Sequence, residues 1–154
     1  MAVTEAFNQP VSGGKKDVAI IYPTRNRPDM LMQSLTALLQ NTVLPAEIVV
    51  VDQSDDDATK VALEQFGNPL VRHLPSDLRG LSHSRNTGIE ASTGELIGFI
   101  DDDCIPAPSW VAAGVKAAGE FPQSQILIGD VYDDINDISD AALSGLTPKV
   151  ITLQ

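Results

Sequence analysis

The chain has 154 residues, a hydrophobic content of 43% and a formal net charge of −11, which suits a single globular domain with one substantial core. The acidic balance argues against a nucleic acid or an anionic membrane surface as the main partner, although local arginines can still hold a phosphate-bearing small molecule. No apolar run is long enough to form a transmembrane segment, the N-terminus lacks a signal-peptide pattern, and the single cysteine excludes an internal disulfide. We therefore expect a cytoplasmic location, with peripheral attachment to a membrane as an open alternative.

Strand and helix patterns alternate along most of the chain. Residues 1–16 lack periodicity and predict a flexible N-terminal arm. Short apolar runs predict strands at Val18–Tyr22, Glu47–Val51, Leu70–Leu74, Glu95–Ile100 and Gln125–Ile128. Val150–Leu153 is a further candidate strand with no evident partner. Such alternation is typical of an α/β fold with a doubly wound, mostly parallel sheet.

The predicted helices lie between these strands. The first begins at Pro28 and carries its leucines on one face. A second, from about 56 to 66, would be capped by Asp55 or Ser54 and stopped by Gly67. A third would be capped by Ser82 and run to Ala91. The fourth covers Ser109–Glu120, with Trp110 as a packing anchor.

Three consecutive carboxylates, Asp101, Asp102 and Asp103, end the uncharged run of the fourth strand. That run predicts a strand buried on both faces, with the acids at its carboxyl end, where open α/β sheets bind ligands. Adjacent carboxylates repel one another, and a divalent cation such as Mg²⁺ relieves that repulsion. If the extended backbone persists, Asp101 and Asp103 share one side. The alternative is a solvated turn in which Asp103 or Ser109 caps the next helix.

Four segments resemble the successive motifs of family 2 glycosyltransferases. They are Ile20–Arg27, Ile48–Asp55, Gly80–Gly88 and Gly94–Asp103. Their order and intervals make the match specific, and it covers residues 17–131, the nucleotide-sugar-binding portion of the glycosyltransferase-A fold. The remaining residues, 132–154, would then be an acidic C-terminal segment that starts a missing or shortened acceptor region.

The resemblance implies roles for residues that follow the first two strands. Pro23 and Thr24 would line the nucleotide pocket, with Arg25 or Arg27 near phosphate; the alternative for the arginines is a solvated loop. Asp52 would accept a hydrogen bond from the nucleobase, typically uracil N–H, unless it only caps a helix.

The third motif carries an Arg-Asn pair. Arg85 and Asn86 match the donor-binding pair of the family, and the planar guanidinium of Arg85 would face the diphosphate or brace the acidic loop. The competing interpretation of Arg85 is a structural salt bridge to one of the aspartates.

For the aspartates the resemblance implies a DxD motif. Asp101 or Asp102 would lie near the ribose hydroxyls, and Asp103, with Asp101 as the second candidate ligand, would bind Mn²⁺ or Mg²⁺. The cation would stabilise the leaving nucleoside diphosphate by Lewis-acid catalysis. His73 and His83 match no metal-ligand spacing and are interpreted as structural or surface residues.

The implied activity is inverting transfer of a sugar from a UDP-like donor to the hydroxyl group of a glycan, lipid or small molecule. Family members carry an acceptor half with a carboxylate base, and no copy of that motif is recognisable here, so no catalytic base is assigned. The alternative is a truncated, catalytically silent nucleotide-sugar-binding module that needs another region or chain. An apolar face left exposed where the acceptor half would pack favours a homo-oligomer.

Overall fold

The computed structural model describes residues 17–123, 126–129, 131 and 149–151. The chain divides into two compact units, Lys16–Ala112 and a second unit that combines Met1–Lys15 with Ala113–Gln154. The predicted arm at 1–16 lies outside the described residues, as does most of the predicted segment 132–154. The predicted domain bounds therefore stay a prediction.

A four-stranded parallel sheet forms the centre of the unit Lys16–Ala112. Its strands are β1 (Val18–Thr24), β2 (Glu47–Asp52), β3 (Val71–Pro75) and β4 (Leu96–Phe99). They lie in the order β3-β2-β1-β4, and each neighbouring pair is parallel. All of β1 and nearly all of β2 are buried, because both strands carry apolar residues on both faces. The predicted parallel sheet is confirmed.

Helices cover both faces of this sheet. The helices of this unit are α1 (Pro28–Leu39), α2 (Ala58–Phe66) and α3 (Leu81–Ala91). A fourth helix, α4 (Trp110–Glu120), begins in this unit and continues into the second. Successive side chains of β1 point to opposite faces. The Tyr22 hydroxyl lies 2.9 Å from the Ser34 hydroxyl of α1, whereas Gly88 of α3 packs directly against Ile21. Helices α1 and α3 therefore lie on opposite faces, as in a doubly wound fold.

The start of α2 differs from the prediction. Its first residue is Ala58, whose backbone N–H donates to Oδ1 of Asp56 at 3.0 Å. The predicted cap by Asp55 or Ser54 is wrong, because both residues instead bond to the loop that follows β1. Gly67 ends the helix as predicted, in a left-handed conformation with a φ of 60°.

Helix α3 begins at Leu81, two residues earlier than a cap at Ser82 predicts, so Ser82 lies within its first turn and does not cap it. Gly80 precedes the helix with a φ of 115°, a conformation that favours glycine. Both backbone groups of Gly80 bond to the side-chain amide of Gln53, each at 3.2 Å. A tertiary contact therefore sets this helix start.

Strand β4 lies at the edge of the described sheet and is less buried than predicted. Leu96 to Gly98 are half-buried, and Phe99 is 38% exposed. The expectation of a strand buried on both faces is wrong, because β4 pairs with β1 on one side and has no described strand on the other. Trp110 packs over Gly98, where a Cβ would lie 3.0 Å from the indole ring, so the predicted packing role of Trp110 is confirmed.

The second unit contains a short antiparallel pair, β5 (Ile126–Ile128) and β6 (Lys149–Ile151). These strands overlap the predictions at 125–128 and 150–153, while residues 125 and 152–153 lie outside the described part. Strand β5 is therefore the partner of β6, which the sequence had left without one. No helix within 17–123, 126–129, 131 and 149–151 has the length and apolar character needed to cross a bilayer.

Candidate functional site

An open cleft of about 490 Å³ lies at the carboxyl edge of the parallel sheet. The described residues that line it are Pro23, Thr24, Arg25, Asn26, Arg27, Gln53, Leu81, Asp101, Asp102 and Asp103. They come from the ends of β1 and β2, the start of α3 and the segment after β4. The parallel topology therefore brings seven of the predicted site residues to one opening.

Asn26 joins the loop after β1 to the loop after β2. Its φ of 57° is left-handed, a conformation that asparagine adopts more readily than most residues. Its backbone N–H donates to Oγ of Ser54 at 2.8 Å. Its side-chain amide donates to the Asp55 carboxylate at 2.8 Å and accepts from the Asp55 N–H at 2.9 Å. The backbone positions of the flanking Arg25 and Arg27 are thereby constrained.

Asp55 is an exposed carboxylate in the loop after β2. Besides Asn26, its carboxylate contacts Arg25 at 3.2 Å and Arg79. The hydrogen bonds from Asn26 and Arg25, with the charges of the two arginines, lower the pKa of Asp55. One of the predicted phosphate-binding arginines is therefore already ion-paired with an exposed carboxylate.

The three aspartates form a turn in which the Cys104 N–H donates to the carbonyl oxygen of Asp101 at 3.0 Å. Asp102 is 6% exposed and accepts a hydrogen bond from the Thr24 hydroxyl at 2.8 Å. The side chains of Asp101 and Asp103 are 47% and 51% exposed. The prediction that Asp101 and Asp103 share one side depended on an extended backbone. Because the backbone turns at these residues, that prediction does not hold.

Two arginines pair with these aspartates. Nη1 of Arg27 lies 3.3 Å from Asp102 Oδ1 and 3.3 Å from Asp103 Oδ2. Nη2 of Arg85 lies 3.3 Å from Asp101 Oδ1, and its guanidinium carbon lies 5.5 Å from the centroid of the Phe99 ring, within cation–π range. The salt bridge that competed with a diphosphate role for Arg85 is present, and the diphosphate role stays a prediction.

Asp52 ends β2 and is 7% exposed. Its carboxylate accepts from the Ser54 N–H at 2.9 Å and lies 2.9 Å from Nε2 of His73. It is not among the described residues that line the cleft, although Gln53 beside it is. The expected contact with a nucleobase stays a prediction, and His73 has a buried carboxylate as its partner.

Asn86 is exposed on α3, where Ser84 and Gly88 are the buried positions. Because residues two apart on a helix point in nearly opposite directions, Asn86 faces away from the sheet. It is not among the described residues that line the cleft, so its predicted role in donor binding stays a prediction.

The sequence did not single out Gln53, Asn26 or Leu81 as cleft residues. Gln53 is 7% exposed and donates to the carbonyl oxygens of Leu78 and Gly80, which fixes the segment before α3. Leu81 is 48% exposed and gives the cleft an apolar contribution. Their position in the sequence was the available signal for Gln53 and Asn26, which come one and two residues after the ends of buried strands.

Among the described ranges, no group of three or more His, Cys, Asp or Glu side chains is arranged to hold a metal ion by itself. Burial, followed by the negative charges of Asp103 and Asp101, raises the pKa of the Cys104 thiol. Cys104 is therefore protonated at neutral pH and is a poor metal ligand. The carboxylates of Asp101 and Asp103 are therefore the side chains of this turn that are better suited to a divalent cation.

Known proteins match most of the chain. The sequence profile described as glycosyl transferase family 2 matches residues 19–143. Glycosyltransferase AglE of Haloferax volcanii is 33% identical over 104 residues, which are 64% of this chain and 34% of that protein. Hyaluronan synthase of Pasteurella multocida is 33% identical over 145 residues, or 88% of this chain and 15% of that protein. The chain thus spans at most about a third of the length of either relative.

Solved structures show the same architecture. A mannosyltransferase from Pyrobaculum calidifontis in complex with GDP-Man and Mn²⁺ superposes with a TM-score of 0.61 at 25% identity, covering 75% of this chain and 36% of that one. Residues 1–349 of TarS from S. aureus, in complex with UDP-GlcNAc, give 0.60 at 23% identity, covering 69% and 32%. These likenesses confirm the predicted glycosyltransferase-A fold.

Proposed function

Because the chain belongs to glycosyltransferase family 2, we propose that its cleft binds a nucleoside diphosphate sugar and that the protein transfers the sugar to a hydroxyl acceptor. The observation that carries this proposal is the convergence of Arg25, Arg27 and the three aspartates on one opening. Guanidinium groups suit a diphosphate, and carboxylates suit a divalent cation that bridges it. The carboxyl edge of an open parallel sheet is also where such ligands bind.

The donor is proposed to be of the UDP type. Pro23 and Thr24 line the cleft beside the arginines, and Asp52 follows at the end of the adjacent strand as the acceptor for uracil N–H. The structural neighbours are complexes with GDP-Man and with UDP-GlcNAc, so a nucleoside diphosphate is the chemistry they share. The donor sugar is left open.

The residues of the turn fit Mn²⁺ or Mg²⁺. Asp101 and Asp103 are half exposed at the cleft, and such cations commonly take one or two carboxylates together with substrate phosphates and water. A protein cage of three ligands is therefore not needed. Asp103, with Asp101 as the second ligand, would hold the cation, which when bound stabilises negative charge on the leaving nucleoside diphosphate.

The reaction is proposed to invert the anomeric carbon in one displacement. The acceptor hydroxyl oxygen forms a bond to the anomeric carbon while the bond between that carbon and the diphosphate oxygen breaks. The proton of the acceptor hydroxyl passes to a base. Within this chain, Arg25 and Arg27 orient the diphosphate, while the Thr24 hydroxyl holds Asp102 in place. The base is unassigned.

A second candidate function is donor binding without transfer. Among the described residues, the carboxylates that line the cleft are Asp101, Asp102 and Asp103, and the proposal places all three on the donor side. A base would then come from another region or another chain. The cytoplasmic location, the peripheral membrane attachment and the homo-oligomer inferred from the sequence stay predictions.

Calorimetric titration of UDP, with and without Mn²⁺, tests the donor site. We expect metal-dependent binding that Asp103→Asn weakens by more than about tenfold, or about 1.4 kcal/mol. The matched control is Asp77→Asn, which removes the same charge from an exposed loop residue outside the cleft lining and should leave affinity unchanged. Absence of UDP binding by the unsubstituted chain would overturn the proposal. Release of UDP from a UDP-sugar in the presence of acceptor separates transfer from binding alone.

A further inference from the structure

We propose that Arg27 occupies the cation position of the aspartate turn until a divalent cation displaces it onto the donor diphosphate, so that cation and donor binding become cooperative. This inference rests on the proposed function and adds a mechanism that couples its two ligands.

The position of one guanidinium nitrogen carries the inference. Nη1 of Arg27 is 3.3 Å from a carboxylate oxygen of Asp102 and 3.3 Å from one of Asp103. Asp103 is the proposed first ligand of the cation, so this nitrogen already pairs with a carboxylate oxygen that the cation would need. The other oxygen of Asp102 is already bonded to Thr24 at 2.8 Å. Arg27 and a cation would therefore compete for the carboxylate of Asp103.

The backbone of Arg27 is held on both sides, whereas its side chain is bonded at its guanidinium end to Asp102 and Asp103 and is otherwise half exposed. Asn26 is fixed to Ser54 and Asp55, and the carbonyl oxygen of Arg27 accepts from the Leu31 N–H at 3.1 Å as α1 begins. The side chain is 53% exposed and lines the cleft. Its long, flexible stem can re-aim the guanidinium within the cleft without any backbone change.

The charges favour such an exchange only when both ligands are present. Three aspartates face two arginines at the turn, which leaves one net negative charge. A divalent cation bound there repels the guanidinium of Arg27, and a diphosphate offers it new anionic partners. Arg27 should therefore lower the affinity for the cation alone and raise the affinity for the diphosphate once the cation is bound. By linkage, each ligand then strengthens the binding of the other.

The first half of this prediction concerns the Mn²⁺ affinity of the full chain without nucleotide. Electron paramagnetic resonance measures it through the signal of free Mn²⁺. Arg27→Gln should bind Mn²⁺ about three- to tenfold more tightly than the unsubstituted chain, since half-exposed ion pairs are modest in strength. The matched control is Arg79→Gln, which removes the same charge from a residue paired with Asp55 and should stay within about twofold. Arg27→Lys keeps the charge and should leave Mn²⁺ affinity near that of the unsubstituted chain.

UDP titration at saturating Mn²⁺ measures the second half. Arg27→Gln should weaken UDP binding about tenfold, because a charge-assisted contact to phosphate is lost. Opposite signs in the two titrations support the inference. Unchanged or weaker Mn²⁺ binding in Arg27→Gln overturns the inference while the donor site stands. So does Mn²⁺ binding by Arg27→Lys that is as tight as the binding expected of Arg27→Gln. Failure of the unsubstituted chain to bind Mn²⁺ and UDP overturns the proposed function and this inference together.

Discussion

Strands β1 and β4 are hydrogen-bonded neighbours with similar apolar sequences, yet they differ in burial. Every residue of β1 is buried, whereas β4 is half-buried and ends with Phe99 at 38% exposure. Because β1 has a strand on each side and β4 has a described partner only on one, topology creates this difference. An apolar run therefore predicts a strand but not its place in the sheet.

The candidate site contains residues from the carboxyl ends of both strands. The aspartates follow the more exposed strand, β4. Thr24, which ends the buried strand β1, and Arg27, which follows it, contact them. We infer that the buried strand fixes the geometry of the turn and that the edge strand leaves two of its carboxylates open to the cleft.

The largest expected effect on stability comes from replacing an isoleucine by alanine, in β1 and, for comparison, in β4. Ile21 is fully buried in a cluster with Val49 and Val51, against which the partly buried Ile97 of β4 packs. Ile21→Ala should lower the free energy of unfolding by about 4 kcal/mol, and Ile97→Ala by about 1 to 2 kcal/mol, because less apolar area and a smaller cavity are involved. Urea denaturation of both variants measures the difference. Equal losses would show that β4 is as deeply buried as β1.

A smaller effect is expected where the two strands meet. Thr24→Val keeps the side-chain shape but removes the hydroxyl that donates to the buried Asp102. Loss of a hydrogen bond to a charged, buried group should cost about 2 kcal/mol. Thr36→Val is the matched control, because the Thr36 hydroxyl donates to a carbonyl on exposed helix surface and its loss should cost under about 0.5 kcal/mol. Similar costs for both variants would contradict a positioning role for Thr24.

The smallest expected effect concerns Cys104, whose Sγ lies 3.8 Å from Asp103 Oδ1. Burial is the main reason that the pKa of this thiol is raised, and the charge of Asp103 comes next. Asp103→Asn should lower that pKa part of the way to its ordinary value and speed alkylation at pH 8 about two- to threefold, since the thiolate is the reactive form. Rates with iodoacetamide measure this, with Asp77→Asn as the control. A faster rate in the control as well would point to a general charge effect.

Much of the fold follows from local sequence. The β-branched runs, Pro28 at the first helix and Gly67 at the end of the second predict elements whose bounds agree with the structure to within a few residues. Errors arose where side chains have distant partners. Asp55 bonds to Asn26 rather than capping α2, and Gln53 sets the start of α3 across the sheet edge. A local pattern carries no information about such partners.

The sequence by itself determined the parallel α/β architecture and the residues that follow each strand, because hydrophobic periodicity and strand order bring strand ends to one edge. It also supplied the motifs that resemble the family. Only the tertiary structure decided which residues meet across that edge. It placed Arg27 between Asp102 and Asp103, buried Asp102 against Thr24, and turned Asn86 away from the sheet. Those outcomes depend on helix rotation and turn geometry, which are set by packing between segments far apart in the chain.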